Sequence, residues 1–318
     1  MGGPSQMTDG TDRESTVQRR SLGGHVVEAG LAAVGFDASA NNDVALVETA
    51  RPHRSPYRIV LAQNAWNVVD ISTFWTLLGN YPMSRRLRYI VRRVIAGINL
   101  RRAKKVVCLT ESMSALCAKY SSNVVTSPVT VPVDFLSRSA PQAEADWSDT
   151  VLVPGTVTWH KNPVEAIRIV QALQRNGTSI AKVVFAGSDD GSGSWQEVES
   201  AANAAGIPCS RMRLSRDEMS IACASAAAVV IPSHLESLSL SMAEALATAS
   251  IVIASDIPAH RELARRLGRE PVWGRDEVGL ERLQEQALPD LDVNGLWREW
   301  NRLGESLDLP TMAGPPEG

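Results

Sequence analysis

The sequence predicts an α/β protein of two domains, each a parallel sheet covered by helices. Three observations carry this. From residue 23 onward, short apolar runs alternate with helical stretches, the pattern of strands joined by helical crossovers. The chain has 318 residues, 44% hydrophobic and 21% charged, which is long enough for two cores and too apolar for wholesale disorder. A stretch rich in Pro, Ser, Ala and acidic residues at 135–148 interrupts the alternation and reads as a linker.

In chain order, residues 1–20 are polar, lack periodicity and read as a flexible arm. Strands are expected at 43–47 and 57–62. Residues 85–100 read as a helix, because Leu87, Ile90, Val91, Val94, Ile95 and Ile98 recur at helical spacing and form one apolar stripe. The expectation is that this stripe packs on the core. A strand at 105–109, a helix at 111–120 and a short strand at 124–126 complete the first half. The second half begins with a strand at 150–153. It continues with helices at 163–174, 195–205, 216–226, 240–249 and 258–266. Strands at 182–186, 211–214, 228–231 and 251–254 lie between them. The resulting division is an N-terminal domain at 21–148, a second domain at 149–285, a C-terminal helix at 286–306 and a flexible tail at 307–318. Parallel sheets of this kind bind ligands beyond the carboxyl ends of their strands.

Composition excludes several classes. With 32 Lys and Arg against 35 Asp and Glu, the chain is no polybasic coat. No apolar run reaches the ~20 residues of a membrane span, and the polar N-terminus has no secretory h-region. The four cysteines form no C-x-x-C pair and read as reduced, buried thiols of a cytoplasmic protein. Charge is nevertheless uneven: residues 1–150 carry 17 basic and 13 acidic side chains, residues 151–318 carry 15 and 22. The first half is therefore suited to an anionic partner.

The most informative stretch is I-P-S-H-L-E-S-L-S-L-S-M-A-E-A-L-A-T-A-S-I-V-I-A-S-D, residues 231–256. It reads as a strand end, a Ser-rich turn, a helix and the next strand. A helix N-terminus bears partial positive charge and suits a phosphate. Two carboxylates there, Glu236 and Glu244, would repel a phosphate unless they address hydroxyls, which a sugar and a ribose provide.

This stretch resembles the E-x7-E segment of retaining glycosyltransferases of the GT-B fold, family 4 in particular. Pro232, Ser233, Glu236, Leu240, Glu244, Ala245, Ala247, Val252, Ala254, Ser255 and Asp256 match its usual pattern. The resemblance implies two Rossmann-like domains; residues 1–20 lack the hydrophobic strand with which the family opens, so the N-terminal one reads as reduced. It also implies that Glu236 faces the donor sugar, that Glu244 bonds the ribose, and that the backbone of Ser237, Leu238, Ser239 and Leu240 holds the diphosphate. Ser239, Ala249 and Ile251 stand where the family usually has Gly, Gly and Pro.

A second segment, V-P-G-T-V-T-W-H-K-N-P at 153–163, resembles the family's Gly-turn and Lys motif. The resemblance makes Gly155, Thr156 and Lys161 donor-side residues, with Lys161 neutralising the departing diphosphate. Thr156 replaces the customary Arg, so Lys161 carries the phosphate charge either alone or with an Arg from elsewhere. Gly187 and Arg213, after two later strands, are assigned to the donor side by position. The acidic loop Asp189-Asp190 has the wrong spacing for a metal site.

On the other side, S-L-G-G-H-V-V-E-A-G-L-A-A-V-G at 21–35 resembles the family's first loop, which makes Gly23, Gly24 and His25 candidates for acceptor or sugar contacts. Asn64 and Trp66 follow a strand where many members place a His. Asn64 could supply a hydrogen bond, and Trp66 could stack on a sugar face.

The expected function is retaining transfer of a sugar from a nucleoside-diphosphate donor to a hydroxyl acceptor, with Glu236 and Lys161 catalytic. No cofactor and no metal are required. The acceptor stays open among lipid-phosphate, glycan and modified DNA base. The alternatives are an inactive donor-binding subunit and a sugar-nucleotide epimerase of the same fold. The basic run at 85–105 allows contact with an anionic membrane or a nucleic acid, and so peripheral placement at a membrane.

Overall fold

The computed structural model describes residues 27, 31–33, 36–37, 44–50, 56–132, 135, 146–274 and 288–311. Gly23, Gly24, His25, the arm at 1–20 and most of the linker lie outside these residues.

Two parallel sheets organise the chain. The first has the order β1-β2-β3-β4, from β1 (Val44–Ala45), β2 (Ile59–Ala62), β3 (Lys105–Cys108) and β4 (Val124–Thr126). Its helices are α1 (Ile71–Leu78), α2 (Met83–Arg102) and α3 (Glu111–Cys117). Asp70 caps α1 and Thr110 caps α3, each side chain accepting the backbone N–H three residues on. Helix α1 was not foreseen; its sequence, ISTFWTLL, lacks the polar face that signals an amphipathic helix.

The second sheet contains β5 (Thr150–Pro154), β6 (Lys182–Ala186), β7 (Cys209–Met212), β8 (Ala228–Ile231), β9 (Val252–Ala254) and β10 (Val272–Trp273), in the order β10-β9-β8-β5-β6-β7. The order in which the chain adds strands reverses between β5 and β8, which stay parallel, so the crevice beyond their carboxyl ends is the natural ligand site. The crossovers are α4 (Pro163–Arg175), α5 (Ser194–Ala205), α6 (Arg216–Ser225), α7 (Leu240–Thr248) and α8 (Pro258–Leu267). β5, β6 and β8 are apolar and buried along nearly their whole length, as strands covered on both faces must be.

The last helix, α9 (Val293–Ser306), returns to the first half. Trp300 is buried and donates Nε1–H to the Val131 carbonyl at 3.1 Å, while Thr130 donates to Glu299 at 2.8 Å. The stretch after it was expected to be a free tail. Instead Asp308 pairs with Arg58 and Lys105, and the Asp37 N–H bonds the Pro310 carbonyl at 3.0 Å. The tail is held through Thr311 because it closes beside Phe36. Both ends of the linker are likewise packed, with Phe135 and Trp147 buried in the core. The cysteines are free thiols; Cys209 is only half-buried, the other three are buried.

One expectation is overturned. Most of the α2 stripe does not face the core: Leu87, Val91, Val94 and Ile98 are exposed, while half-buried Ile90 packs against the cluster of Trp66, Phe74 and Tyr81. The core-facing residues are Ala96, Gly97, Asn99 and Leu100. Small Ala96 and Gly97 let the helix approach closely, and Asn99 Nδ2 donates to the carbonyls of Glu48 and Ala50 at 2.9 and 2.8 Å. A buried polar anchor thus sets the helix rotation against its apolar periodicity.

Candidate active site

The crevice between the ends of β5 and β8 is lined by Gly155, Thr156, Lys161, Pro232 and Ser233. After β5 the chain turns at Gly155, whose φ of +105° favours glycine. The Lys161 side chain lies across that glycine. A short 3-10 turn, Trp159–Lys161, then leads into Asn162 at φ 50° and Pro163 at the first position of α4. Asn tolerates the left-handed conformation and Pro suits a helix start, so Lys161 is presented at a sharp corner.

Lys161 Nζ lies 2.7 Å from Glu236 Oε1, and Ser233 Oγ donates to the same oxygen at 2.8 Å. Burial is the largest single influence and raises the Glu236 pKa, but the Lys161 charge, its hydrogen bond and the neighbouring imidazoles together outweigh it and hold the carboxyl at about 2. Glu236 is ionised throughout the physiological range. His160 is shifted the other way: burial first, then Lys161, bring it down to about 4, so it is neutral. Its Nδ1 lies 3.1 Å from Thr158 Oγ1 and 3.3 Å from Tyr81 OH, a contact that reaches into the first half.

Glu244 makes a separate pair. It is buried on α7 and meets Arg216 Nη1 at 2.9 Å. Glu236 and Glu244 therefore flank the N-terminus of α7, each with its own cation. Arg216 was missed by the sequence reading. Arg213, chosen instead, is exposed and makes none of the ion pairs among the described residues. The available signal was the capping box of Ser215 and Glu218, which marks a helix start just beyond β7 and puts Arg216 at its first position.

The α7 N-terminus begins at Ser239, which takes φ 60° and ψ 64°. A Cβ there costs about 1–2 kcal/mol relative to glycine. Ser239 Oγ lies 3.2 Å from His260 Nε2, and His260 Nδ1 lies 2.8 Å from the Ser255 carbonyl. A carbonyl only accepts, so Nδ1 carries the proton and Ser239 donates to Nε2. Burial lowers the His260 pKa, which suits this neutral tautomer.

Other expected donor residues serve the architecture. Leu238 is buried in the core and Leu240 packs against it. Ser237 joins the two halves: its hydroxyl donates to the Gln63 carbonyl, and its own carbonyl accepts from Thr110 Oγ1 at 2.7 Å. Glu262 completes this seam by accepting from the backbone N–H groups of Glu111 and Ser112 at 2.7 and 3.2 Å. Gly187 is needed for close approach, since a Cβ there would collide with the Gly155 backbone. Thr156 Oγ1 is 3.5 Å from Ser188 Oγ.

Among the first-half candidates, Asn64 Nδ2 donates to Glu48 Oε1 at 2.8 Å, as Asn67 does at 2.7 Å. Buried Glu48 thus holds the loop that meets Ser237. Trp66 is not placed to stack on a sugar: it is buried, with the rings of Phe74, Tyr81, Tyr89 and His160 around it. In the acidic loop, Asp189 accepts the Gly191 N–H and Asp190 lies 3.5 Å from Arg85 of α2. Among the described residues, no group of three or more His, Cys, Asp or Glu side chains is arranged to hold a metal ion.

Residues 138–268 match the family model described as glycosyl transferases group 1. No curated protein matches the chain in sequence. Among solved structures, an alpha,alpha-trehalose-phosphate synthase (UDP-forming) from Burkholderia vietnamiensis superposes with a TM-score of 0.51 at 11% identity, covering 79% of this chain and 63% of that one. The corresponding synthase from Burkholderia xenovorans, in complex with glucose-6-phosphate, gives 0.52 at 11%, covering 79% and 64%. A mutant of S. aureus TarM in complex with Fondaparinux, alpha-GlcNAc-glycerol and UDP gives 0.50 at 14%, covering 78% and 47%. The chain spans less than two thirds of each of these proteins. At such identities the likeness establishes the fold: two parallel α/β units of the GT-B type, with the glycosyl transferases group 1 match confined to residues 138–268.

Proposed function

We propose that the protein is a retaining glycosyltransferase of family 4 type that moves a sugar from a nucleoside-diphosphate donor to a hydroxyl acceptor. The observation that carries this reading is the ionised Glu236 held on Lys161 at the switch point between β5 and β8, beside the N-terminus of α7. The donor diphosphate sits against Lys161 and the α7 N–H groups, which stabilise negative charge as the sugar departs. Glu236 receives the sugar hydroxyls and Glu244, steadied by Arg216, receives the ribose. The leaving phosphate takes the acceptor proton, so no enzyme base is called for. The cationic work falls to Lys161 and the helix terminus, and the reading needs no metal and no cofactor. The acceptor enters from the side of the first sheet, where His160, Tyr81 and Asn64 lie.

The test is nucleoside-diphosphate release from a panel of sugar nucleotides, with the product anomer read by NMR. Wild-type release with retained configuration, lost in Glu236→Ala, is expected. Release by Glu236→Ala at the wild-type rate, or no release with any donor, would refute the reading.

A second reading is favoured by Ser239. Its Cβ and hydroxyl occupy a left-handed corner where the resembled pattern has glycine, and they narrow the diphosphate seat. In that case the chain binds donors without turning them over. A donor-induced melting shift without release, with release gained in Ser239→Gly, would favour it.

A further inference from the structure

The exposed face of α2 is apolar. Met83, Leu87, Val91, Val94 and Ile98 are 77%, 67%, 47%, 56% and 38% exposed. At about 100° per residue these five positions fall within an arc of roughly 80°. Ala96 and Leu100, buried in the core, lie on the opposite side. The helix is thus apolar on two faces, and only one of them is covered by the described residues. On α1, whose Phe74 ring lies under Arg93 at 4.7 Å, Ile71 and Trp75 are exposed as well.

Charge along this segment is one-sided, with exposed Asp70 at the start of α1 and Asp190 beside Arg85 as its acidic neighbours. From Ile71 to Lys105 the chain has nine Lys and Arg and no Asp or Glu. Arg88, Arg92, Arg101, Arg102 and Lys104 are exposed. By helical position, Arg88 and Arg102 flank one edge of the stripe and Arg101 lies at its end.

We propose that α2 docks the protein on a lipid bilayer with anionic headgroups, the apolar stripe entering the interface and the arginines meeting the headgroup charge. Protruding apolar side chains framed by basic ones match this surface on both counts. A nucleic-acid backbone would satisfy the arginines but leave Leu87, Val91, Val94 and Ile98 in water. A second copy of the chain would bring arginine against arginine. No helix among the described residues is long and apolar enough to cross a membrane, so the contact is interfacial. Because Arg85 of α2 pairs with Asp190 on the loop after β6, the docked helix starts at the rim between the two sheets. The inference does not depend on the transferase reading, since vesicle binding is measured without any donor.

The experiment is flotation of the full chain with phosphatidylcholine vesicles, with and without about one third phosphatidylglycerol. Flotation with the anionic vesicles alone, weakened by salt, is expected. Joint Leu87→Ser and Val94→Ser should lower partitioning at least ~10-fold, and joint Arg88→Glu and Arg102→Glu by a similar factor. All four positions are exposed, and unchanged melting temperatures would show that the fold is intact. No flotation, equal flotation with neutral vesicles, or undiminished flotation of either variant would overturn the proposal. Binding of duplex DNA in place of vesicles, or a dimer that the serine variant converts to monomer, would overturn it in favour of those partners.

Discussion

Removing Lys161 should turn Glu236 from a stabilising group into a destabilising one, with a recognisable pH signature. In the native protein Glu236 titrates at about 2 rather than 4.5. That shift of roughly 2.5 units corresponds to about 3 kcal/mol in favour of the folded carboxylate. The contribution is fully present above the ordinary carboxylate range and is lost as pH falls through about 2. In Lys161→Met, burial remains while the opposing charge is gone, so the folded pKa should rise above the unfolded value. The sign then reverses, and the variant's stability falls as pH rises through the ordinary range. At pH 7 the variant should lose at least about 3 kcal/mol, roughly 5 °C or more of melting temperature for a chain of this size. It should recover part of that loss relative to wild type near pH 4. Glu236→Gln keeps the shape without the charge and should show no such recovery. Thermal melts of the three proteins from pH 4 to 8 decide the matter. A Lys161→Met protein that melts like wild type at pH 7, with no relative gain on acidification, would refute the claim that this pair governs the site.

Three further outcomes are expected. Glu244→Gln and Arg216→Ala should each weaken nucleoside-diphosphate binding about tenfold or more by calorimetry, and unchanged affinity in both would remove the ribose role. His160 at about 4 lies below its usual 6.5, so the unfolded chain binds the extra proton between those values and stability should fall by about 3 kcal/mol as pH drops from 6.5 to 4; His160→Gln should flatten that slope in urea titrations across the range. Gly187→Ala forces a Cβ into the Gly155 backbone and should destabilise by about 1–3 kcal/mol in denaturant melts, with donor affinity falling in parallel because the Lys161 corner moves.

Much of the second half was legible because its information is local. Continuous apolar runs such as Val183–Ala186 have few alternatives to a buried parallel strand. The Ser-rich turn with Glu236 and Glu244 sits on a strand–helix junction, where the sheet alone dictates a ligand position. The Lys161 corner followed from Gly155, Asn162 and Pro163, residues whose backbone preferences are intrinsic.

What escaped was set between elements. Arg216 meets Glu244 only because α6, the crossover that carries the chain from β7 back to β8, packs beside α7. Ser237 reads as a site residue in one dimension and Glu262 carries no signal there, yet both seal the two halves together. Trp66 followed a strand end as a ligand-binding ring would, but a cage of aromatic neighbours encloses it.

By itself the sequence determined the alternation of strands and helices, the phosphate-suited helix start and the carboxylates on either side of it, since these depend on residue type and spacing. Tertiary structure alone decided which cation each carboxylate meets and which face of α2 looks outward. Apolar spacing is indifferent to direction: it defines a stripe on a helix, whereas the rotation of α2 was chosen by Asn99 bonding two buried carbonyls and by Ala96 and Gly97 admitting close contact.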